Sequence, residues 1–107
     1  MKYEQGAVVW GQGLVRDERP WVVVNNRRHP FEDEECVIVA VTTTERERAV
    51  PLNDGDFSEG GVPRKSYVSP WFVTTRKTTS MNERQGVLTD EIFERIHEEI
   101  LRYLEPL

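Results

Sequence analysis

Two unbroken apolar runs of β-forming residues constrain this chain most: Trp21-Val22-Val23-Val24, and Cys36-Val37-Ile38-Val39-Ala40-Val41. A run without polar alternation belongs to a strand covered on both faces, or to the wall of a barrel. Valine supplies 14 of the 107 residues, which favours sheet over helix. Ala7-Val8-Val9-Trp10 reads as a further short strand between Gly6 and Gly11-Gln12-Gly13. The polar stretch Arg16-Asp17-Glu18-Arg19 leads to Pro20, which has no amide hydrogen and belongs at a strand start or edge.

Beyond residue 41 the pattern is more broken. Glu45-Arg46-Glu47-Arg48 reads as a hairpin tip, and Ala49-Val50-Pro51-Leu52 as a short returning strand. Residues 53–61 carry turn chemistry throughout. Residues 66–68 and 71–75 read as one strand interrupted at Pro70, or as two short ones. Ser80-Met81-Asn82-Glu83 has capping-box spacing and predicts a single helical turn, with residues 84–88 extended after it. Thr89 or Asp90 then caps a helix that ends near Leu104. Ile92, Phe93, Ile96, Ile100, Leu101 and Leu104 form its apolar stripe, and Asp90, Glu91 and Glu94 suit its positive N-terminal end. One domain over residues 1–107 follows: short strands within 6–88, then one amphipathic helix over about 89–104. The fold class is mainly β (α+β), a small β-barrel or curled sheet with the helix packed on it.

The formal net charge is −5. Most of it lies in residues 89–107, where six acids face two arginines, while residues 1–88 hold 13 acids and 12 bases. The body is therefore nearly neutral, and an acidic total does not exclude a nucleic-acid partner. Its cations, including Arg16, Arg27, Arg28, Arg46, Arg48, Arg64 and Arg76, fall mostly in loops. No apolar run approaches the roughly 18–20 residues that span a membrane. One cysteine, Cys36, allows no intrachain disulfide and fits a reducing cytoplasm. Two distant histidines and that cysteine make no metal-ligand set, and no phosphate-cradling glycine motif or nucleophile triad occurs. The expectation is no metal and no cofactor: either metal-free chemistry or simple binding.

Four segments in order carry a resemblance to the PemK/MazF-like toxin family. Gly6-Ala7-Val8-Val9-Trp10 resembles the family's opening strand, and Arg19-Pro20-Trp21-Val22-Val23-Val24-Asn25-Asn26 its Arg-Pro signature. Val39-Ala40-Val41-Thr42-Thr43 resembles the strand that ends in Thr-Ser/Thr, and Gly86-Val87-Leu88-Thr89-Asp90-Glu91 the lead into the last helix. The resemblance implies an SH3-like β-barrel with a C-terminal helix, usually a homodimer. It further implies a metal-independent endoribonuclease that acts on single-stranded RNA, leaves 2′,3′-cyclic phosphate and 5′-OH ends, and is neutralised by a small antitoxin protein. Arg19 and Thr42 take the catalytic positions, with Arg16, Thr43, Arg27, Arg28 and Arg76 expected on RNA. Arginine scarcely gives up a proton and threonine is a poor base, so the pair is expected to act by electrostatics and positioning. Many members carry an Arg and an Asp on a later strand. Here Arg76 stands in a shifted position and no acid follows it. The alternative reading is a PemK-like barrel without nuclease activity that binds protein or nucleic acid.

Overall fold

The computed structural model describes residues 1–12 and 18–107. Seven strands form one antiparallel sheet: β1 (Ala7–Gln12), β2 (Glu18–Val23), β3 (Glu35–Thr42), β4 (Val50–Leu52), β5 (Phe57–Gly60), β6 (Ser66–Lys77) and β7 (Met81–Leu88). One α-helix, α1 (Asp90–Leu104), follows among the described residues. The spatial order is β4-β6-β3-β2-β1-β7-β5, and the sheet curls strongly into a half-barrel. The expected barrel-like fold with a C-terminal helix is what forms.

Each face of the sheet carries its own apolar cluster. Val8, Val22, Val39, Val41, Val50, Leu52, Val68 and Leu88 pack with Ile92, Ile96 and Ile100 of α1. Ala7, Val9, Trp21, Val23, Cys36, Ile38, Ala40 and Met81 pack on the other face, beneath Met1, Tyr3 and Phe72. Side chains alternate across a strand, so cover on both sides explains why the central runs contain no polar residue. Trp21, Val22 and Val23 are wholly buried. Thr89 caps α1 by accepting a hydrogen bond from the Ile92 N–H, and Asp90 and Glu91 occupy the first turn. The apolar stripe is buried at Ile92, Ile96 and Ile100, spaced by four, whereas Leu101 and Leu104 are exposed.

Three local expectations are corrected. The segment before β4 is not a hairpin tip, because β4 pairs with β6 rather than β3. Residues 53–61 are not turn throughout: Asp54–Asp56 is a 3-10 turn, and Phe57–Gly60 is an edge strand on β7. Only Phe57 of that strand packs on the core, so the sequence shows no alternation there. The helical turn lies earlier than residues 80–83, as a 3-10 turn at Thr78–Ser80, and residues 81–83 are strand. Ser80 Oγ donates to Lys77 O rather than capping a helix, and β7 starts at Met81, paired with β1. Ladder pairing and burial of Met81 outweigh a local cap worth about 1 kcal/mol.

Pro70 interrupts one long strand rather than separating two. The β3–β6 register moves from Val39↔Val73 to Ala40↔Ser69, which leaves Pro70, Trp71 and Phe72 as a bulge. The bulge bends β6. Its far half pairs with β3 at Glu35–Val39 and its near half with both β3 and β4.

The β5–β7 edge depends on close backbone approach. A Cβ at Gly86 would lie 2.6 Å from Glu59 O and 2.9 Å from Gly61 N, both backbone atoms with little room to yield. Gly60 across the ladder has φ +65°, a region that side chains disfavour. Gly86→Ala is expected to destabilise the protein by about 1–3 kcal/mol, read as a lowered denaturation midpoint with unchanged slope. An unshifted midpoint would show that this edge adapts freely.

Candidate active site

Arg19 and Thr42 come from neighbouring strands. The β2–β3 ladder pairs Trp21 with Ala40 and Val22 with Val39. Continuing that antiparallel register by two residues sets Arg19 opposite Thr42. Both side chains line one cleft of about 430 Å³, together with Trp10, Glu18, Pro20, Val41, Thr43, Val62, Pro63, Arg64 and Ser66. The β2–β3 pairing begins only at Trp21. Pro20 therefore sits where β2 borders β1 alone, a place that tolerates a missing amide hydrogen.

The local geometry limits what each group can do. The Arg19 guanidinium lies 6.0 Å from the centre of the buried Trp21 ring, within cation–π range. Thr42 Oγ1 accepts a hydrogen bond from the Thr44 N–H at 3.1 Å. That bond occupies a lone pair of Thr42 and leaves its hydroxyl hydrogen to be donated, as to a phosphate oxygen. Thr43 is exposed on the same wall. Arg64 enters from the loop between β5 and β6, where its carbonyl accepts from the buried Ser66 hydroxyl at 2.8 Å. Glu18 completes the cleft: its Oε2 accepts from Trp10 Nε1 at 2.6 Å and its Oε1 from Asn82 Nδ2 at 3.2 Å. Among the described residues, the cleft thus carries two cations, hydroxyls, an indole and one fixed carboxylate.

The other residues expected on RNA lie elsewhere. Arg76 pairs with Cys36 while Tyr67 pairs with Thr42, so Arg76 stands six residues along β3 from Thr42. At about 3.3 Å per residue that is about 20 Å, beyond the reach of one side chain to the cleft. Its guanidinium instead donates to Thr74 Oγ1 and Thr75 O. Arg27 and Arg28 occupy the turn after the far end of β2, and Arg27 lines a separate hollow with Met1, Lys2 and Arg84. Arg16 lies outside the described residues. The structure thus joins Arg19, Thr42 and Thr43, and adds Glu18, Arg64, Ser66 and Trp10. Arg64 was visible in sequence only as one loop cation among many, and Glu18 only as part of a polar loop. No local pattern distinguishes either.

Histidine and cysteine stand apart from the cleft. His29 Nδ1 accepts from the Phe31 N–H at 3.0 Å, which holds the imidazole within its own turn. His97 is exposed on α1. Burial pushes the Cys36 thiol up to about 11. The protonated thiol is unreactive, so Cys36 should react with a disulfide reagent at pH 8 only as fast as the protein opens. Reaction at the rate of a free thiol would contradict its burial. Among the described residues, no three His, Cys, Asp or Glu side chains cluster to hold a metal ion, and no helix is long and apolar enough to cross a membrane.

No protein-family model matches the chain, and no curated protein matches it in sequence. Solved structures do match in three dimensions. An endoribonuclease in complex with its cognate antitoxin, from Mycobacterial species, superposes with a TM-score of 0.81 over 98% of both chains, at 22% identity. The toxin MazF-mt6 of Mycobacterium tuberculosis matches with a TM-score of 0.75 over 92% of this chain and 95% of its own, at 19% identity. The MazE–MazF complex of Deinococcus radiodurans gives 0.75 over 98% and 97%, at 15% identity. The fold is that of the MazF-type toxin endoribonucleases.

Proposed function

We propose that this chain, acting as a single domain, is a MazF-like endoribonuclease that cleaves single-stranded RNA without a metal ion. The observation that carries the reading is the meeting of Arg19 and Thr42 in one cleft, on a fold shared with toxin endoribonucleases. The ribose 2′-OH attacks the adjacent phosphorus and the P–O5′ bond breaks, leaving a 2′,3′-cyclic phosphate and a 5′-OH end. Arg19 stabilises the negative charge that grows on the phosphorane oxygens, since a guanidinium keeps its charge and grips phosphate with paired hydrogen bonds. Thr42 donates its hydroxyl to a phosphate oxygen and fixes the strand. Thr43 and Arg64 hold the flanking backbone. The protein would work in the cytoplasm as a homodimer, held inactive by a small antitoxin of the kind seen with its structural neighbours.

Cleavage of a mixed-sequence RNA in the presence of EDTA, followed by end-group analysis, tests this reading. Cyclic phosphate ends support it. RNA that is bound but left intact would replace it with the binding-module reading. Arg64→Ala is expected to raise KM about 10-fold and to reduce the salt slope of RNA binding by about one ion, as for one lost phosphate contact. An unchanged slope would remove Arg64 from the RNA path.

A further inference from the structure

We infer that RNA leaves the cleft over the loop between β5 and β6 and seats a flanking nucleotide in a second hollow, with Lys65 on its phosphate and Asn53 on its base. The inference rests on the endoribonuclease reading above and adds a place where sequence is read away from the scissile bond.

The second hollow adjoins the cleft. It encloses about 370 Å³, and Val62, Pro63 and Arg64 line both spaces. These three residues form a ridge with the cleft on one side and the hollow on the other. A strand held at Arg19 and Thr42 reaches the hollow by crossing that ridge. The hollow around Met1 and Arg84, and the one around Gln5 and His97, share no lining residue with the cleft.

Shape and charge suit a nucleotide. The floor is apolar: Leu52 is buried, and Phe57 and Val62 pack against the first apolar cluster. A nucleobase is apolar on its faces and polar at its edges, so it matches an apolar floor with polar groups at the rim. Among the lining residues, the cations Arg64 and Lys65 outnumber the one acid, Asp54, in a chain whose net charge is −5. A local excess of positive charge beside the cleft favours a polyanion there.

The two contact residues are held in place by each other. A lysine on a loop ordinarily moves freely. Here Lys65 Nζ donates to Leu52 O at 3.5 Å and to Asn53 Oδ1, and it lies 5.8 Å from the centre of the Tyr67 ring. An ammonium has three hydrogens, so one remains for a phosphate oxygen. Asn53 is fixed at the head of the 3-10 turn. Its N–H donates to Asp56 Oδ2 at 2.8 Å, and its carbonyl accepts from the Asp56 N–H at 3.0 Å. With Oδ1 taken by Lys65, the amide presents Nδ2 as a donor to an acceptor on a base edge. Neither residue touches a reacting atom, so both act on the binding and choice of RNA.

RNAs with one cleavage site, lengthened one nucleotide at a time on either side of it, test this with the parent, Lys65→Ala and Asn53→Ala. Thermal unfolding checks that each variant is folded. For the parent, kcat/KM should rise about 10-fold at the length that first fills the hollow. Lys65→Ala should lose that step through KM, cut the shortest RNA like the parent, and lower the salt slope of binding by about one ion. Asn53→Ala should lose the base preference at that one position, read from the ends of cleaved mixed-sequence RNA. An unchanged length dependence in Lys65→Ala overturns the inference and leaves the nuclease reading intact. So does an equal loss on the shortest and longest RNAs, the mark of a structural role. An unchanged base preference in Asn53→Ala overturns the base contact. A parent protein that cuts no RNA overturns both readings.

Discussion

Arg19→Ala is expected to cleave RNA about 10²–10³-fold more slowly than the parent, with the loss in kcat and little change in KM. The reason is differential: charge on the phosphorane oxygens exceeds that on the ground-state phosphodiester, so a fixed guanidinium contributes most at the transition state. The cleft supplies the conditions. Arg19 projects from a strand that is hydrogen-bonded to β1, and its guanidinium lies over a buried indole. Arg19→Lys keeps the charge but loses the paired donors, and should fall between the two. Single-turnover cleavage of RNA across a salt series measures this. A rate for Arg19→Ala within a few-fold of the parent would take Arg19 out of the transition state.

The second large effect concerns stability. Trp21→Ala is expected to destabilise the protein by about 3–5 kcal/mol, the cost of deleting a large, fully buried aromatic side chain. Trp21 fills the second cluster and meets Phe72 edge-on, with ring centres 5.6 Å apart. Phe72 belongs to the bulge in β6. Among the described residues, Trp21 Nε1 has no hydrogen-bond partner. Trp21→Phe therefore gives up no hydrogen bond and should cost distinctly less than Trp21→Ala. Urea unfolding of the three proteins separates these outcomes. Equal losses for both variants would mean that the site cannot repack around any smaller ring. Because Trp21 also lies beneath Arg19, the alanine variant should lose activity even at temperatures where it remains folded.

Much of this architecture was legible from residues alone, and for physical reasons. The unbroken run through Trp21 and Val23 demands cover on both faces, and the sheet provides it with one cluster on each side. The spacing of Ile92, Ile96 and Ile100, with Thr89 before them, is sufficient to define α1. Misreadings fell where local chemistry met a longer-range competitor. Ser80 offered a cap, but Met81 had a partner strand and a buried seat. Phe57–Gly60 looked like turn because an edge strand with one packed residue shows no period. The distance of Arg76 from Thr42 was also hidden, because its register along β3 cannot be read from its neighbours.

The sequence by itself determined the properties that depend on nearby residues: strand runs, the helix and its cap, and the motifs that singled out Arg19 and Thr42. Tertiary structure decided which groups share the cleft. Register set Arg19 against Thr42, the turn held by Ser66 brought in Arg64, and anchors on two other strands fixed Glu18. These contacts join residues as far as 64 positions apart. They arise only when the sheet curls, because cover on both faces forces a compact half-barrel whose strand ends converge.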